Sequence, residues 1–107
     1  MEGRTDLFAH RTNVEFVKPV DGLLDTRVWE RGSGETFACG TGACAATVAS
    51  SVAGIVGREG RVRFPGGILD LQWGADDHVL MTGPAVRVYE GEVDAAWIQR
   101  ASGEPAR

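Results

Sequence analysis

Trp29-Glu30-Arg31-Gly32-Ser33-Gly34-Glu35-Thr36-Phe37-Ala38-Cys39-Gly40-Thr41-Gly42-Ala43-Cys44-Ala45-Ala46 is the stretch around which the rest of the chain can be organised. It reads as the end of a strand, a tight glycine-rich turn, a cysteine and the first turn of a helix. The first amides of a helix have no partner within it, and its aligned peptide dipoles place about half a positive charge there. A cysteine at such a point is favoured as the thiolate. Glycines beyond it leave backbone N–H groups uncovered, so that an anion such as a carboxylate can approach closely. Cys39, followed by Gly40 and Thr41, is therefore a candidate chemical site written in consecutive residues.

Downstream of the turn the spacing predicts a helix over Gly40–Val56. Cys44, Val48, Val52 and Ile55 share one face, Ala45, Ala49 and Ala53 the next, and no residue in the span is charged. A helix of that composition is expected to be buried nearly all round, with Gly57 as its stop. Elsewhere the pattern is that of short strands. Asn13–Lys18 alternates and is closed by Pro19, Asp21-Gly22 is a turn, and Leu23–Glu30 is a second strand. After the helix come Arg61–Phe64, Ile68–Trp73, His78–Thr82 and Ala85–Glu90, separated by Gly, Pro and Asp breaks. The expected fold is α+β, a single central apolar helix enclosed by a curled antiparallel β-sheet or barrel, which would remove sheet edges. A flat sheet with the helix on one face ranks second. Residues 1–11 read as an irregular lead-in, 12–98 as the folded lobe and 99–107 as a flexible tail.

The 107 residues make one domain, 43% hydrophobic, with 15 acidic against 11 basic side chains. A net charge of −4 argues against general nucleic-acid binding. No apolar run approaches the roughly 20 residues of a membrane span, and Met1–Asp6 lacks the apolar core of a signal peptide. A cytoplasmic protein without a membrane partner is expected. Cys39 and Cys44 are five apart and would point to different faces of a helix, which disfavours a disulfide. His10 and His78 lie far off in sequence, so no metal site is expected. Both histidines read as surface residues, Trp73 and Trp97 as packing, Cys44 as core, and Glu35 and Thr36 as bracing the turn and capping the helix.

Four ordered blocks resemble the diaminopimelate epimerase family: Thr12-Asn13-Val14-Glu15-Phe16-Val17, Arg27-Val28-Trp29-Glu30-Arg31-Gly32-x-Gly34-Glu35-Thr36-x-Ala38-Cys39-Gly40-Thr41-Gly42-Ala43, Phe64-Pro65-Gly66-Gly67-x-Leu69 and Met81-Thr82-Gly83-Pro84-Ala85. The resemblance covers roughly residues 6–97. It implies a cofactor-independent interconversion of the L,L and meso forms of diaminopimelate, on the way to lysine and cell-wall peptide. It also implies a fold of two similar lobes, each a helix in a small barrel, with the substrate between them and one catalytic cysteine from each. This chain is similar to the second lobe, without the first and without the second lobe's opening strands.

On that resemblance Cys39 is the second catalytic cysteine. Glu30 and Arg31 are the substrate-binding pair, Glu30 also influencing proton transfer. Gly40 and Thr41 hold the carboxylate at the reacting carbon through their amides, and Asn13 contacts substrate. Tyr89 corresponds to an aromatic position near a homodimer contact. The implied partners are the small-molecule substrate and the missing N-terminal lobe, in cis or in trans. Two other readings stay open: a non-catalytic remnant that binds amino-acid carboxylates or a partner protein, and a related amino-acid racemase.

Overall fold

In the computed structural model, which describes residues 3–4 and 6–103, the described residues before 12 include several turns, and regular structure begins at β1 (Val14–Val20). Asp21 and Gly22, both at positive φ (49° and 78°), lead straight into β2 (Leu23–Glu30), a two-residue turn of the kind that suits the twist of a hairpin. The register runs from Val14 opposite Trp29 to Val20 opposite Leu23. Pro19 lies inside β1, where it was expected to end it. Proline is tolerated because β1 is a sheet edge, where a missing N–H interrupts no ladder. β3 (Gly34–Thr36) folds back onto β2 and leads to α1 (Gly40–Val52). Then follow β4 (Glu59–Phe64), β5 (Gly67–Trp73), β6 (Val79–Thr82) and α2 (Ala95–Ala101).

One six-stranded sheet runs in the order β1-β2-β4-β5-β6, with β3 also paired to β2. The architecture is α+β, as expected, but the sheet is mixed and open. β2 and β4 are parallel, through Leu24 opposite Val62 and Asp25 opposite Arg63. The purely antiparallel expectation fails here because the chain passes from β2 to β4 by way of α1, and a helical crossover is what delivers strands in parallel. β1 and β6 are the two edges and do not pair, so no barrel closes. The sheet is nevertheless wrapped about the helix, since α1 packs on β1, β2, β4, β5 and β6.

Alternation along the strands sends Leu24, Thr26, Val28, Val62, Phe64 and Leu71 to the inner face, where all are buried. α1 meets them with Gly42, Ala43, Ala46, Thr47 and Ser50. Small residues let the two surfaces close: a methyl on Gly60 of β4 would fall 3.0 Å from Cγ2 of Thr47. The opposite side of the helix, with Ala45, Ala49 and Val52, is exposed. The absence of charge in α1 thus reflects a tight fit on one side rather than burial all round.

The helix is also shorter than expected. Gly54, at φ 79°, ends it in place of Gly57. Ile55 N–H reaches Ser50 O (2.9 Å) and Gly54 N–H reaches Ser51 O (3.0 Å), the paired bonds of a left-handed helix stop. The expected strand Ala85–Glu90 does not form. Val86, Val88 and Tyr89 are each more than 80% exposed, and an alternating pattern gains nothing as a strand without a neighbour to pack on. The helix α2 was not anticipated, though Asp94 is its N-cap, accepting the Ala96 N–H at 3.0 Å. Trp97 on α2 is 54% exposed and is not a packing residue. Trp73 is, lying under the Arg58 guanidinium at 4.3 Å. The expected tail begins within α2, and its last residues, 104–107, lie outside the described ones. No helix among the described residues is long and apolar enough to cross a membrane.

Two predictions follow from this framework. Gly54→Ala should destabilise the fold by about 1 kcal/mol, because a side chain there is forced into the left-handed region; thermal unfolding reads it, and an unchanged midpoint refutes the assignment of Gly54 as the stop. The parallel joint should also be acid-sensitive. Arg63 donates to both Asp25 oxygens (3.4 and 3.1 Å) and holds that carboxyl below its usual range. A depressed carboxyl contributes stability that is complete above its unfolded value, about 3.9, and is lost as pH falls through the folded value. Asp25→Asn should therefore shrink the loss of Tm between about pH 5 and about pH 2.5. An equal loss in wild type and variant would rule this out.

Candidate active site

Antiparallel partners share a face, so register places the candidate residues. Glu15 of β1 stands opposite Val28 of β2, and Val28 opposite Thr36 of β3. Val28 is buried, so this row lies on the inner face beside α1. By alternation the next inner row holds Asn13 and Glu30, whose partner on β3 is Gly34. Two side-chain bonds fix these rows. Thr36 Oγ1 donates to Glu30 Oε2 and also lies 3.4 Å from Ala38 O, tying β2 to the segment that leads to Cys39. Asn13 Oδ1 accepts the backbone N–H of Arg31 at 2.6 Å. Asn13 thus anchors the end of β2.

Arg31, one residue past Glu30, is exposed, and its Nη1 reaches the carbonyl of His10 (3.3 Å). Glu30 and Arg31 make no ion pair with one another among the described residues. Glu35 does not brace the cysteine turn. It faces outward, pairs with Arg27 at 2.5 Å, and is held by that guanidinium below the usual carboxylate range.

Neither Glu35 nor Thr36 caps the helix; Cys39 does so itself. Its backbone is extended (φ −150°, ψ 114°), and its Sγ accepts the Gly42 N–H at 3.4 Å. Thr41 Oγ1 lies 3.5 Å from the same sulfur. Ala43 N–H is taken by Cys39 O at 2.9 Å. The amide of Gly42 is therefore satisfied by the cap, and that of Ala43 by the first ordinary helical bond. Those of Gly40 and Thr41 have no partner among the described residues. Cys39 as a residue is 9% exposed. Cys44 packs at the margin of the core with Val17, Val56, Leu69 and Val79, and is not part of the turn.

The glycines of the turn are read from outside the helix. A Cβ on Gly42 would stand 2.7 Å from Glu15 Oε1 and 3.3 Å from Cys39 Cβ; one on Gly40 would stand 3.3 Å from Met81 Cε. Glu15 comes from one sheet edge and Met81 from the other, so both edges close on the same turn. The sequence reading assigned neither a role. The available signal for Glu15 was its place two residues after Asn13, in the alternate set Asn13, Glu15 and Val17 that faces the helix.

A concavity of about 650 Å³ lies at the β1–β2 turn among Asp21, Glu59, Arg61, Asp70, Gln72 and Leu80, and shares no residue with the cysteine turn. Among the described residues no group of three or more His, Cys, Asp or Glu side chains gathers to hold a metal ion. The turn offers a sulfur, two bare amides, a carboxylate steadied by a hydroxyl, and a solvent-facing guanidinium. That set can bind an anion beside a proton-transferring thiol.

Gly→Ala inside a helix normally stabilises by about 1 kcal/mol. Gly42→Ala should instead destabilise, by about 1–3 kcal/mol as overpacking does, and should slow alkylation of Cys39. A gain in Tm would show that Glu15 yields freely.

Comparison with known proteins gives the family. The family model described as diaminopimelate epimerase matches residues 4–88. The diaminopimelate epimerase of Methanococcus maripaludis is 55% identical over 89 residues, 81% of this chain and 32% of the relative. That of Acetivibrio thermocellus is 56% identical over 90 residues, covering 82% and 32%. That of Synechococcus elongatus is 50% identical over 91 residues, covering 84% and 32%. The chain spans about a third of the length of these curated relatives. With the match running through β1, the cysteine turn and the strands that follow, the chain belongs to the diaminopimelate epimerase family.

Proposed function

We propose that this chain supplies the second-cysteine half of a cofactor-independent diaminopimelate epimerase site. An α-hydrogen beside a carboxylate is a weak acid, and removing it needs a nearby base and stabilisation of the charge that develops. Cys39 as thiolate takes the α-proton on one face. The electron pair of the broken C–H bond spreads into the substrate carboxylate, which the Gly40 and Thr41 amides hold. A thiol of the first lobe returns a proton on the opposite face, and the centre inverts; in the reverse direction Cys39 is the acid. Glu30 takes the ammonium group, Arg31 grips a carboxylate in the bidentate manner open to guanidinium, and Asn13 contacts substrate while holding Arg31's backbone. The observation that carries this reading is the helix start: a thiol at the N-cap beside the Gly40 and Thr41 amides, which have no partner among the described residues.

On this reading the 107 residues alone do not invert the substrate. Cys44 cannot act as the second thiol. It is five residues on, about 7.5 Å along a helix axis, and packs at the core margin. An open site also weakens each electrostatic contact through water. The first lobe, in cis or in trans, completes the site, a homodimer contact falls near Tyr89, and the setting is cytoplasmic. The alternative, a non-catalytic carboxylate-binding remnant, shares the same two amides and differs only in proton exchange.

In heavy water the purified chain should introduce deuterium slowly at the α-carbon of diaminopimelate, without net inversion, and Cys39→Ser should abolish it. Adding a first lobe should restore inversion. Inversion by the chain alone would overturn the divided-site reading. Calorimetric binding without exchange would favour the remnant, and neither heat nor exchange at millimolar ligand would leave both without support.

A further inference from the structure

We propose that Glu15 is a positioning residue of this site: its carboxylate closes the Gly42 side of the helix start to anions and so confines a bound carboxylate to the Gly40 and Thr41 amides. The inference rests on the anion-seat reading above and adds a residue to which neither the sequence motif nor the family match assigns a role.

Three observations carry it. First, Glu15 is aimed at the turn: it stands on the inner face opposite Val28, with Oε1 2.7 Å and Cγ 3.2 Å from the place of a Gly42 Cβ. Cys39 Cβ flanks that same point at 3.3 Å. Second, α1 has no acidic residue of its own in its first turn, where helices favour negative charge. Glu15 brings that charge from a neighbouring strand. No hydrogen bond or ion pair with another described residue occupies it. Third, the remaining charges nearby are turned elsewhere. Glu30 is held by Thr36, and Arg31 reaches the His10 carbonyl. Along the helix from Glu15 runs a groove of about 310 Å³, whose other walls include Val17, Ala45, Ala49 and Ile55, and which offers no second seat for an anion.

A carboxylate entering the helix start therefore meets two free amides on one side and a like charge on the other. Its approach direction is set, and with it the direction of the α-carbon it carries. Glu15 does not touch the reacting atoms in this scheme. It acts through the space it denies.

The test uses the whole chain and no substrate. Cys39 is alkylated with iodoacetate, which carries a carboxylate, and with the neutral iodoacetamide; peptide mass spectrometry separates Cys39 from Cys44. The ratio of the two rates cancels thiolate fraction and general accessibility. In wild type the ratio should exceed that of free cysteine. Glu15→Gln should raise it by about threefold at low salt, the size of one unit charge acting through a largely aqueous path, and the rise should fade at high salt. Glu15→Ala should move the ratio in the same direction, which guards against an idiosyncrasy of the amide. Glu35→Gln, on the outer face, should leave it unchanged. A wild-type ratio above free cysteine that neither Glu15 variant alters overturns the proposal and leaves the anion seat standing. A wild-type ratio no higher than free cysteine removes the anion seat and the proposal with it.

Discussion

The first turn of α1 is the constraint on which the molecule depends. Four amides there need partners. The sulfur of Cys39 takes the amide of Gly42, its carbonyl opens the ordinary helical ladder at Ala43, and the amides of Gly40 and Thr41 have no partner among the described residues. The sulfur that caps the helix is thereby held against the Gly42 N–H and the Thr41 hydroxyl. Everything around the turn serves to hold it open yet fixed. Thr36 ties the incoming segment to Glu30, and the edge strands β1 and β6 press Glu15 and Met81 onto glycines that have no side chain to resist them.

Much of this was legible in the sequence. The strand, glycine-rich turn, cysteine and helix start could be read directly, because a run of small residues after Cys39 and the Gly-Ser-Gly break before it have few other physical meanings. The amides of Gly40 and Thr41 have no partner among the described residues. Less legible were features set by tertiary context. The uncharged helix suggested burial on all sides, whereas Ala45 and Ala49 face outward and the small residues serve the sheet side. Gly54 was passed over as the helix stop because charge resumes only at Arg58. The valines at 86 and 88 alternate as a strand does, but alternation describes a face and cannot supply the neighbour that would cover it.

Family membership and the geometry of the turn bear on different questions. Identity of 50–56% to the relatives named above fixes the family, but across only 32% of their length. The structure places the candidate residues on two inner rows of the β1–β2–β3 end of the sheet, beside the helix start, with Arg31 exposed.

The parallel joint has a mechanical meaning. It divides the sheet into two three-stranded antiparallel leaves, β1-β2-β3 and β4-β5-β6, stitched at Leu24–Val62 and Asp25–Arg63. Glu15, Glu30 and Thr36 ride on the first leaf and Met81 on the second. The joint is a narrow seam, so torsion between the leaves is borne by α1, which touches both. The cysteine turn lies where that torsion is felt, with one leaf's acid against Gly42 and the other leaf's thioether against Gly40. A twist of either leaf changes the aperture above the two bare amides, and the seam sets how stiff that aperture is.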